Sequence, residues 1–290
     1  MKPPMDGLGR LTKMDGKRGR RVLVVGAGSP NADIVAESLR SNGIDADWTD
    51  KVKVPSLRLI RKFDVVYGIY LQTCSRYILA AKLLLRKKTI VHFVGSDAYW
   101  FNREVSFCRS RYWRFVLGHC DLFLYVSPHL EKMTGRKGTI LPFPIATEQF
   151  KNGRLLQISP DRDVLYYCPS GETNERVYRL SWIMDYARAH PDEKITIIGN
   201  ESHPARYKIP LSNVEVIPFI ARSQMATLYK RHKRLIRMTT EDGLPRMVHE
   251  ALLCGLKVVY NGEEIGNVPN EREPSKFAST FRDALDKLFA

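Results

Sequence analysis

The sequence predicts an α/β protein built from two doubly wound domains that face each other across a cleft. Short apolar runs alternate with longer amphipathic segments, as expected for parallel strands covered by helices on both faces of a sheet. A polar segment near the middle of the chain separates two such series of similar size. The chain has 290 residues, 44% of them apolar, which is enough to form two cores.

The first series occupies residues 21–150 and follows a basic tail. Residues 1–20 combine proline, glycine and basic side chains without periodicity, which predicts a mobile segment. A helix is predicted from about Asn31 to Asn42, with Gly43 as its left-handed C-terminal residue. SRYILAAKLLLRKK is predicted to be a helix that starts at its serine. The strands are predicted in RVLVVGAG, DVVYGIY, TIVHFVGSD, DLFLYVS and GTILPFPI.

The second series occupies residues 151–290, with the boundary inside TEQFKNGRLLQISPDRD. Its strands are predicted in DVLYYCP, KITIIGN, NVEVIPFI, RLIRMTT and KVVYNG, and its helices in ERVYRLSWIMDYARAH, RSQMATLYKRH, EDGLPRMVHEALLCG and KFASTFRDALDKLF. Ligands of doubly wound sheets bind beyond the carboxyl ends of the strands. The stretch that follows RLIRMTT is therefore predicted to lie at a binding position.

Cysteine usage and hydropathy indicate the compartment. The five cysteines are scattered without a Cys-x-x-Cys pair, which favours reduced thiols and no metal site. No apolar run approaches the roughly 20 residues that span a bilayer, and the N-terminus lacks the apolar core of a signal peptide. We expect a cytoplasmic protein, either free or peripheral on the inner face of the cell membrane.

Positive charge is concentrated in the first half of the chain. Residues 1–150 contain 25 Lys and Arg against 13 Asp and Glu, whereas residues 151–290 contain 21 against 18. The first half is therefore expected to meet an acidic partner. A nucleic-acid partner would rest on charge and interleaved aromatic residues alone, without the signature of any binding module, and we expect none.

A basic, aromatic segment in this half predicts a membrane or acceptor surface. The two alternatives are an amphipathic helix that lies on an anionic bilayer, or aromatic side chains in the core with the arginines in solvent. We favour the first. The residues of this predicted surface are Trp100, Arg103, Arg109, Arg111, Trp113 and Arg114, with Lys87 and Lys88 from a neighbouring helix.

Acidic residues surround the start of the helix in EDGLPRMVHEALLCG. Glu241 and Asp242 precede a Gly-Leu-Pro step, and Glu250 lies two turns further on. In one interpretation the first two are ordinary first-turn acids and Glu250 is a solvated residue in mid-helix. In the other, the helix start binds an anion and the carboxylates bind polar groups of the same ligand.

The run TTEDGLPRMVHEALLCGLKVV resembles the most recognisable segment of the family 4 GT-B glycosyltransferases. In that family an acid, Gly, an aromatic residue or Leu, Pro and a second acid precede Ala-Leu-x-x-Gly. Asp242 matches the first acid and Glu250 the second, eight positions later. Further matches over roughly residues 21–290 occur in the family's order, in VHFVGSDAYW, YVSPHLEKMTG, GTILPFPIATEQF, LYYCPSGETNERVYRL and GNVP.

The resemblance implies two Rossmann-like domains in the GT-B arrangement. It also implies a metal-independent hexosyltransferase that uses a nucleotide-diphosphate sugar as co-substrate, needs no other cofactor and retains the anomeric configuration. Glu250 would accept hydrogen bonds from the ribose hydroxyls. The donor sugar and diphosphate would approach Gly243, Leu244, Pro245 and an acid, either Asp242 or Glu241, because the family usually has Glu where Asp242 stands.

Five further residues are candidates for the site. Arg176 is placed to neutralise the donor diphosphate. Gly26 and Gly28 either let the backbone approach that diphosphate or form a plain tight turn. His92 either contacts the sugar or the reacting centre, or is a buried strand histidine. Asp97 is either a catalytic residue or a helix cap.

The predicted function is transfer of a sugar from a nucleotide-diphosphate sugar to a lipid-linked or glycan acceptor held by the first domain. Two alternatives belong to other classes. One is a catalytically weak protein that binds sugar nucleotides or supports a partner enzyme, and the other, less favoured, is a nucleic-acid-binding protein.

Overall fold

A computed structural model of the chain contains two six-stranded β-sheets, one in each half. Alternate residues of the first strand enter two separate cores, so both faces of its sheet are covered. The predicted α/β class with two sheets is confirmed. The structure describes residues 19–26, 31–95, 97–98, 107–145, 149–151, 155–169, 172–199, 211–217, 220–239, 245–266 and 273–290.

The first sheet is parallel throughout, in the order β2-β1-β3-β4-β5-β6. β1 pairs with β2 on one side and with β3 on the other, so the strand order reverses between β1 and β3. Ligands of such sheets bind at this reversal, beyond the carboxyl ends of the strands. The strands are β1 (Val22–Val25), β2 (Ala46–Thr49), β3 (Val65–Ile69), β4 (Lys88–Phe93), β5 (Leu122–Tyr125) and β6 (Thr139–Ile140).

The second sheet has the order β12-β11-β10-β7-β8-β9 and is parallel except for the edge strand β12. Its strand order reverses between β7 and β10. The loop that leaves β10 therefore emerges where a ligand is expected. The strands are β7 (Arg162–Tyr167), β8 (Ile195–Ile198), β9 (Val214–Ile217), β10 (His232–Arg237), β11 (Lys257–Tyr260) and β12 (Glu263–Ile265).

Helices connect these strands in both halves. In the first half they are α1 (Asn31–Ser41), α2 (Leu57–Ile60), α3 (Leu71–Leu79), which continues as a π-helical turn over Ala80–Leu84, α4 (Phe107–Gly118) and α5 (Pro128–Thr134). In the second half they are α6 (Glu172–Val177), α7 (Leu180–Ala189), α8 (Arg222–Lys230), α9 (Arg246–Leu253) and α10 (Pro274–Phe289). Gly43 follows α1 at φ +79°, as its predicted left-handed position requires.

Two helix predictions need correction. α3 begins at Leu71 and not at Ser75, which is buried within the helix. The N–H of Leu71 donates to the carboxylate of Asp97 at 3.3 Å, so a residue distant in sequence caps the helix start. The single helix predicted in ERVYRLSWIMDYARAH is two helices, since Arg179 adopts φ +47° between α6 and α7.

Two segments of the chain pass from the core of one sheet to the core of the other. Phe143 packs in a core of the first sheet, whereas Ile145 and Phe150 pack in a core of the second. The chain thus passes between cores before residue 150. The last helix then returns, because Phe277 and Phe281 lie in the first core. The apolar face of α10 therefore lies against the first sheet, although α10 belongs to residues 151–290, which are predicted to form the second domain.

Candidate functional site

The second sheet and its α9 place the predicted donor-binding residues. β10 ends at Arg237, and α9 begins after Pro245, which adopts an extended conformation and is half-buried. Four predicted site residues of the loop between them, Glu241, Asp242, Gly243 and Leu244, lie outside the described residues. The side chains that can be placed are those of α9 and of the helix beside it, α8.

Glu250 lies on the buried face of α9 and is 6% exposed. One carboxylate oxygen, Oε2, accepts a hydrogen bond from the Tyr229 hydroxyl at 3.1 Å. The other, Oε1, accepts from Nη2 of Arg222 at 3.4 Å. The interpretation of Glu250 as a solvated mid-helix residue is therefore wrong. A buried carboxylate with two donors is held in one orientation.

Arg222 and Tyr229 were not predicted as site residues. They lie seven positions apart and therefore share a face of α8. This spacing indicates that they point the same way, but no sequence signal indicates the residue they meet. The Arg222 guanidinium carbon is 5.9 Å from the centroid of the Phe150 ring, and the Gln149 side chain donates to the Arg222 carbonyl at 2.8 Å. Gln149 and Phe150, which lie between the two halves of the chain, thus both contact Arg222.

Glu250, Arg222 and Tyr229 form a cluster, and charges from both halves of the chain affect the pKa of its Arg222. Burial lowers the pKa of Arg222, and the nearby charge of Arg246 lowers it further, whereas Glu250 and Asp33 oppose the shift. Asp33 lies in the first turn of α1, so the cluster is within electrostatic reach of the first sheet's helices. Burial raises the pKa of Tyr229 well above its usual range, and Glu250 adds to this. Tyr229 is therefore a neutral hydrogen-bond donor near pH 7.

Two other arginines lie near the carboxyl ends of the second sheet. Arg176 is exposed on α6, the helix that follows β7. Arg237, at the end of β10, is 3% exposed, and its guanidinium carbon lies 4.4 Å from the ring centroids of both Tyr167 and Tyr178. The Arg237 cation therefore makes cation–π contacts with both rings, at the point where the strand order reverses.

Gly26 packs tightly at the end of β1. Its N–H donates to the carbonyl of Thr49 at 3.1 Å. A Cβ at this position would lie 3.0 Å from the Cβ of Ala32, so the glycine lets α1 approach the strand closely. This contact accounts for the residue without a ligand. Gly28 lies outside the described residues.

His92 is completely buried in β4. Its Nδ1 lies 2.5 Å from the Tyr67 hydroxyl, and its ring packs against Phe143 with centroids 4.6 Å apart. Burial lowers its pKa to about 3, which hydrogen bonding to the Leu141 backbone partly opposes. Of the two interpretations of His92, these contacts favour the buried strand histidine, because the ring is neutral and has no exposed surface.

The burial of His92 predicts acid sensitivity. A histidine whose pKa is depressed in the folded state supports the fold above its unfolded pKa of about 6.5 and loses that contribution as the pH falls toward the folded value. For His92→Gln we expect the loss of unfolding free energy between pH 7 and pH 5 to be about 2 kcal/mol smaller than in the wild type. Urea unfolding at both pH values measures this difference. An unchanged pH dependence would show that His92 does not titrate as its burial requires.

Asp97 is also buried, at 1% exposure. Its Oδ1 accepts hydrogen bonds from the N–H groups of Val94 and Gly95, both at 3.0 Å, and its Oδ2 accepts the N–H of Leu71 described above. Burial raises its pKa, and the backbone N–H donors oppose the shift. The carboxylate joins the end of β4 to the start of α3, which favours the capping interpretation.

Solved structures of other proteins share the two-sheet architecture of this chain. No protein-family model matches the chain, and no curated protein matches its sequence. Solved structures match over both halves. AviGT4, a glycosyltransferase involved in avilamycin A biosynthesis, has a TM-score of 0.59 at 14% identity, with 93% of this chain and 91% of that chain covered. The chain has the GT-B fold.

Two further GT-B structures support this assignment. Sucrose-phosphate synthase from Thermosynechococcus elongatus has a TM-score of 0.56 at 14% identity, with 93% of this chain and 90% of that chain covered. UDP-GlcNAc 2-epimerase from Methanocaldococcus jannaschii, solved in complex with UDP-GlcNAc and UDP, has a TM-score of 0.51 at 10% identity, with 92% and 93% covered. At these identities the comparison establishes the fold alone.

Some residues of the predicted basic surface in the first half of the chain are exposed. Arg111 and Arg114 are exposed on α4, together with Tyr112 and Phe115, whose exposures are 37% and 50%. Trp113 packs instead against the core beneath, which corrects its assignment to the surface. Trp100, Arg103 and the side chain of Arg109 lie outside the described residues.

Lys87 and Lys88 are half-buried. The Lys88 ammonium lies 5.7 Å from the centroid of the Phe289 ring, and Lys87 donates to the carbonyl of Arg61 at 3.5 Å. Both lysines thus contact groups within the protein.

Among the described helices none is long and apolar enough to cross a membrane. The described part of the chain also contains no group of three His, Cys, Asp or Glu side chains arranged to hold a metal ion.

Proposed function

We propose that this protein is a glycosyltransferase that moves a hexosyl group from a nucleotide-diphosphate sugar to a lipid-linked or glycan acceptor. One observation carries the proposal. Glu250, the residue that matches the family's ribose-binding acid, is buried and oriented by Arg222 and Tyr229 on the helix that follows the reversal point of the second sheet. The fold and the order of the motifs support the same activity.

Glu250 has the hydrogen-bonding capacity that this role requires. A carboxylate has about four acceptor positions, and Arg222 and Tyr229 occupy one on each oxygen. The remaining positions suit the two neighbouring hydroxyls of a ribose. Orientation by two fixed donors lowers the entropy cost of binding, because the acceptor atoms are already in place.

The proposed reaction retains the anomeric configuration and uses no metal ion. The acid before Gly243, either Asp242 or Glu241, would face the donor sugar. The leaving diphosphate would accept the proton of the acceptor hydroxyl, so no carboxylate nucleophile is required. His92 and Asp97 are assigned no contact with the substrate, because their exposures are 0% and 1%, against 6% for Glu250, and their polar atoms contact groups within the first half. His92 contacts Tyr67 and Phe143 instead, and Asp97 joins the end of β4 to the start of α3.

A panel of nucleotide-diphosphate sugars tests the proposal. One member should raise the melting temperature in proportion to its occupancy and should be hydrolysed slowly when no acceptor is present. Stabilisation without any turnover, with or without acceptors, would favour the alternative of a binding protein that supports a partner enzyme. Absence of stabilisation by every member of the panel would contradict both functions.

We also propose that α4 lies against an anionic membrane surface. Arg111, Arg114 and Phe115 are exposed at the spacing of one helix face. The Tyr112 hydroxyl donates to Ser75 of α3 at 3.1 Å, so the two helices lie side by side. The π-helical turn that continues α3 adds two exposed leucines, Leu83 and Leu84. Cationic heads beside apolar side chains suit the headgroup region of a bilayer.

Replacing Arg111 and Arg114 together with Gln should weaken binding to phosphatidylserine vesicles about 30-fold, since each basic residue near an anionic surface contributes about 1 kcal/mol. Co-sedimentation with vesicles of graded anionic content measures the effect. The matched control is Arg188→Gln with Arg231→Gln, which removes two exposed charges from the second half. Equal losses in the two double variants would show that total charge, and not this surface, is responsible. A wild-type protein that ignores such vesicles would also contradict the proposal.

A further inference from the structure

Phe150 contacts both helices that carry the cluster of Glu250, Arg222 and Tyr229. On the side of α8, the centroid of its ring lies 5.9 Å from the guanidinium carbon of Arg222 and 6.1 Å from the centroid of the Tyr229 ring. On the side of α9, its carbonyl accepts a hydrogen bond at 3.5 Å from the thiol of Cys254, which directly follows this helix. One completely buried residue thus contacts both donors of the Glu250 carboxylate and the end of the helix that carries it.

The backbone around Phe150 is attached to both helices by hydrogen bonds. Burial raises the pKa of Cys254 to about 12, so its thiol stays protonated near pH 7 and can donate. The Nε2 group of Gln149 donates to the Arg222 carbonyl at 2.8 Å, in the first turn of α8. Ala221, at the N-cap of α8, has no side-chain acceptor with which to cap the helix. Gln149 therefore holds the turn from which the Arg222 side chain projects.

The segment that carries Gln149 and Phe150 joins the two sheets. Phe143, in a core of the first sheet, packs against His92 with ring centroids 4.6 Å apart. Phe150, seven positions later, lies in a core of the second sheet. The contacts to Arg222 and Tyr229 thus come from a segment whose other end is packed into the first half of the chain.

The orientation of Glu250 depends on how firmly its two donors are held. An arginine side chain has many rotamers, and a ring packed against its guanidinium group restricts them. Tyr229 has fewer rotamers, but its hydroxyl reaches Glu250 only while its ring keeps its place beside Phe150. Without these supports both donors would still be present, yet the acceptor atoms of Glu250 would no longer be held in one position before a ligand binds.

We propose that Phe150 and Gln149 are positioning residues of the candidate donor site. Neither would contact the ligand. Both fix the side chains of Arg222 and Tyr229, which in turn orient Glu250. The inference rests on the proposed function, since it concerns the carboxylate to which ribose binding is assigned, and it adds the segment between the two sheets to the parts of the chain that determine donor affinity.

A double-mutant cycle with Glu250 tests this positioning role. Calorimetric titration of the full chain with the diphosphates of adenosine, guanosine, cytidine and uridine identifies the nucleotide that binds best, and the cycle is measured with that nucleotide. Phe150→Leu, which keeps an apolar side chain, and Gln149→Met, which keeps the length but removes the donor, should each weaken binding about 5-fold. In the Glu250→Gln background each should change the affinity less than about twofold, because the carboxylate that they position is absent.

Two control variants accompany the cycle. Phe281→Leu makes the same change in the core of the first sheet and should leave nucleotide affinity unchanged. Lys151→Met changes the residue after Phe150, whose ammonium lies in an exposed ion pair with Glu273 at 3.7 Å, and should also leave it unchanged. Urea unfolding shows which variants are folded at the titration temperature. Gln149→Met alters a half-buried side chain, so the test remains decisive if Phe150→Leu fails to fold.

The outcomes separate this inference from the proposed function. Equal losses of affinity in both backgrounds would overturn the inference, because Phe150 and Gln149 would then act on the fold and not through Glu250. Wild-type affinity in both single variants would also overturn it, whereas the proposed function would stand if Glu250→Gln weakened binding. Losses confined to the background with Glu250, without turnover of any nucleotide-diphosphate sugar, would support positioning and contradict the transferase. A wild-type protein that binds none of the four nucleotides would contradict both.

Discussion

Replacing Glu250 with glutamine should reduce affinity for the donor nucleotide about 10- to 100-fold, the loss expected when one or two hydrogen bonds to a charged acceptor are removed. Glutamine has nearly the same shape, but it exchanges one acceptor oxygen for an NH2 donor. That donor would face either the Arg222 guanidinium or the Tyr229 hydroxyl, both of which donate to Glu250 in the wild type. The side chain would therefore lose both its orientation and half of its acceptors.

Calorimetric titration with the nucleotide-diphosphate sugar that most stabilises the wild type measures this loss. Glu263→Gln is the matched control, because Glu263 is exposed on the edge strand of the same sheet and the change in charge is identical. The nucleoside alone should be weakened by a similar factor, since the proposed contact is to the ribose. If Glu250→Gln retained wild-type affinity for both ligands while remaining folded, the assignment of Glu250 to the ribose would be wrong.

Truncating Phe281 to alanine should destabilise the protein by roughly 3–5 kcal/mol, the usual cost of removing a buried phenylalanine ring. Phe281 is completely buried and stacks on Tyr67 of β3 with ring centroids 5.2 Å apart. It also packs beside Phe277, one turn earlier in α10. The cavity would open in the core of the first sheet, although Phe281 lies in the last helix, whose other neighbours in sequence belong to the second half.

Urea unfolding measures the loss, and hydrogen exchange locates it. Amides of β1 and β3 should exchange faster in Phe281→Ala, because these strands form the core against which α10 packs. Phe115→Ala makes the same chemical change at a half-exposed position of α4, and its cost should be below about 1 kcal/mol. Faster exchange confined to β7, β8 and β10 would contradict the packing of α10 on the first sheet.

Much of the architecture was predictable because its causes are local. The apolar runs around Val22, Val65 and Val164 are buried on both faces and are parallel strands, as predicted. Gly43 marks the end of α1 through its own backbone preference. The position of Glu250 on a helix after a strand also followed from the order of residues. In each case the information lies within a few neighbouring positions.

Other features depended on residues far apart in the chain. α3 begins at Leu71 because Asp97, 26 positions away, accepts its N–H. His92 and Asp97 had two interpretations each, and the packing around them favours the structural one. Arg222 and Tyr229 meet Glu250 across 28 and 21 positions. Hydrophobic periodicity in the sequence does not predict contacts between residues so far apart.

The sequence by itself determined the α/β class and most of the strands, because hydrophobic periodicity and turn chemistry act over short distances. It did not predict the two edge strands β2 and β12. The two acidic positions of the candidate donor site rest on the family resemblance. Only the tertiary structure decided which side chains surround Glu250, where the chain passes from one core to the other and where its last helix packs. The physical reason is that burial and hydrogen bonding join groups brought together by the fold, and sequence separation does not constrain which groups these are.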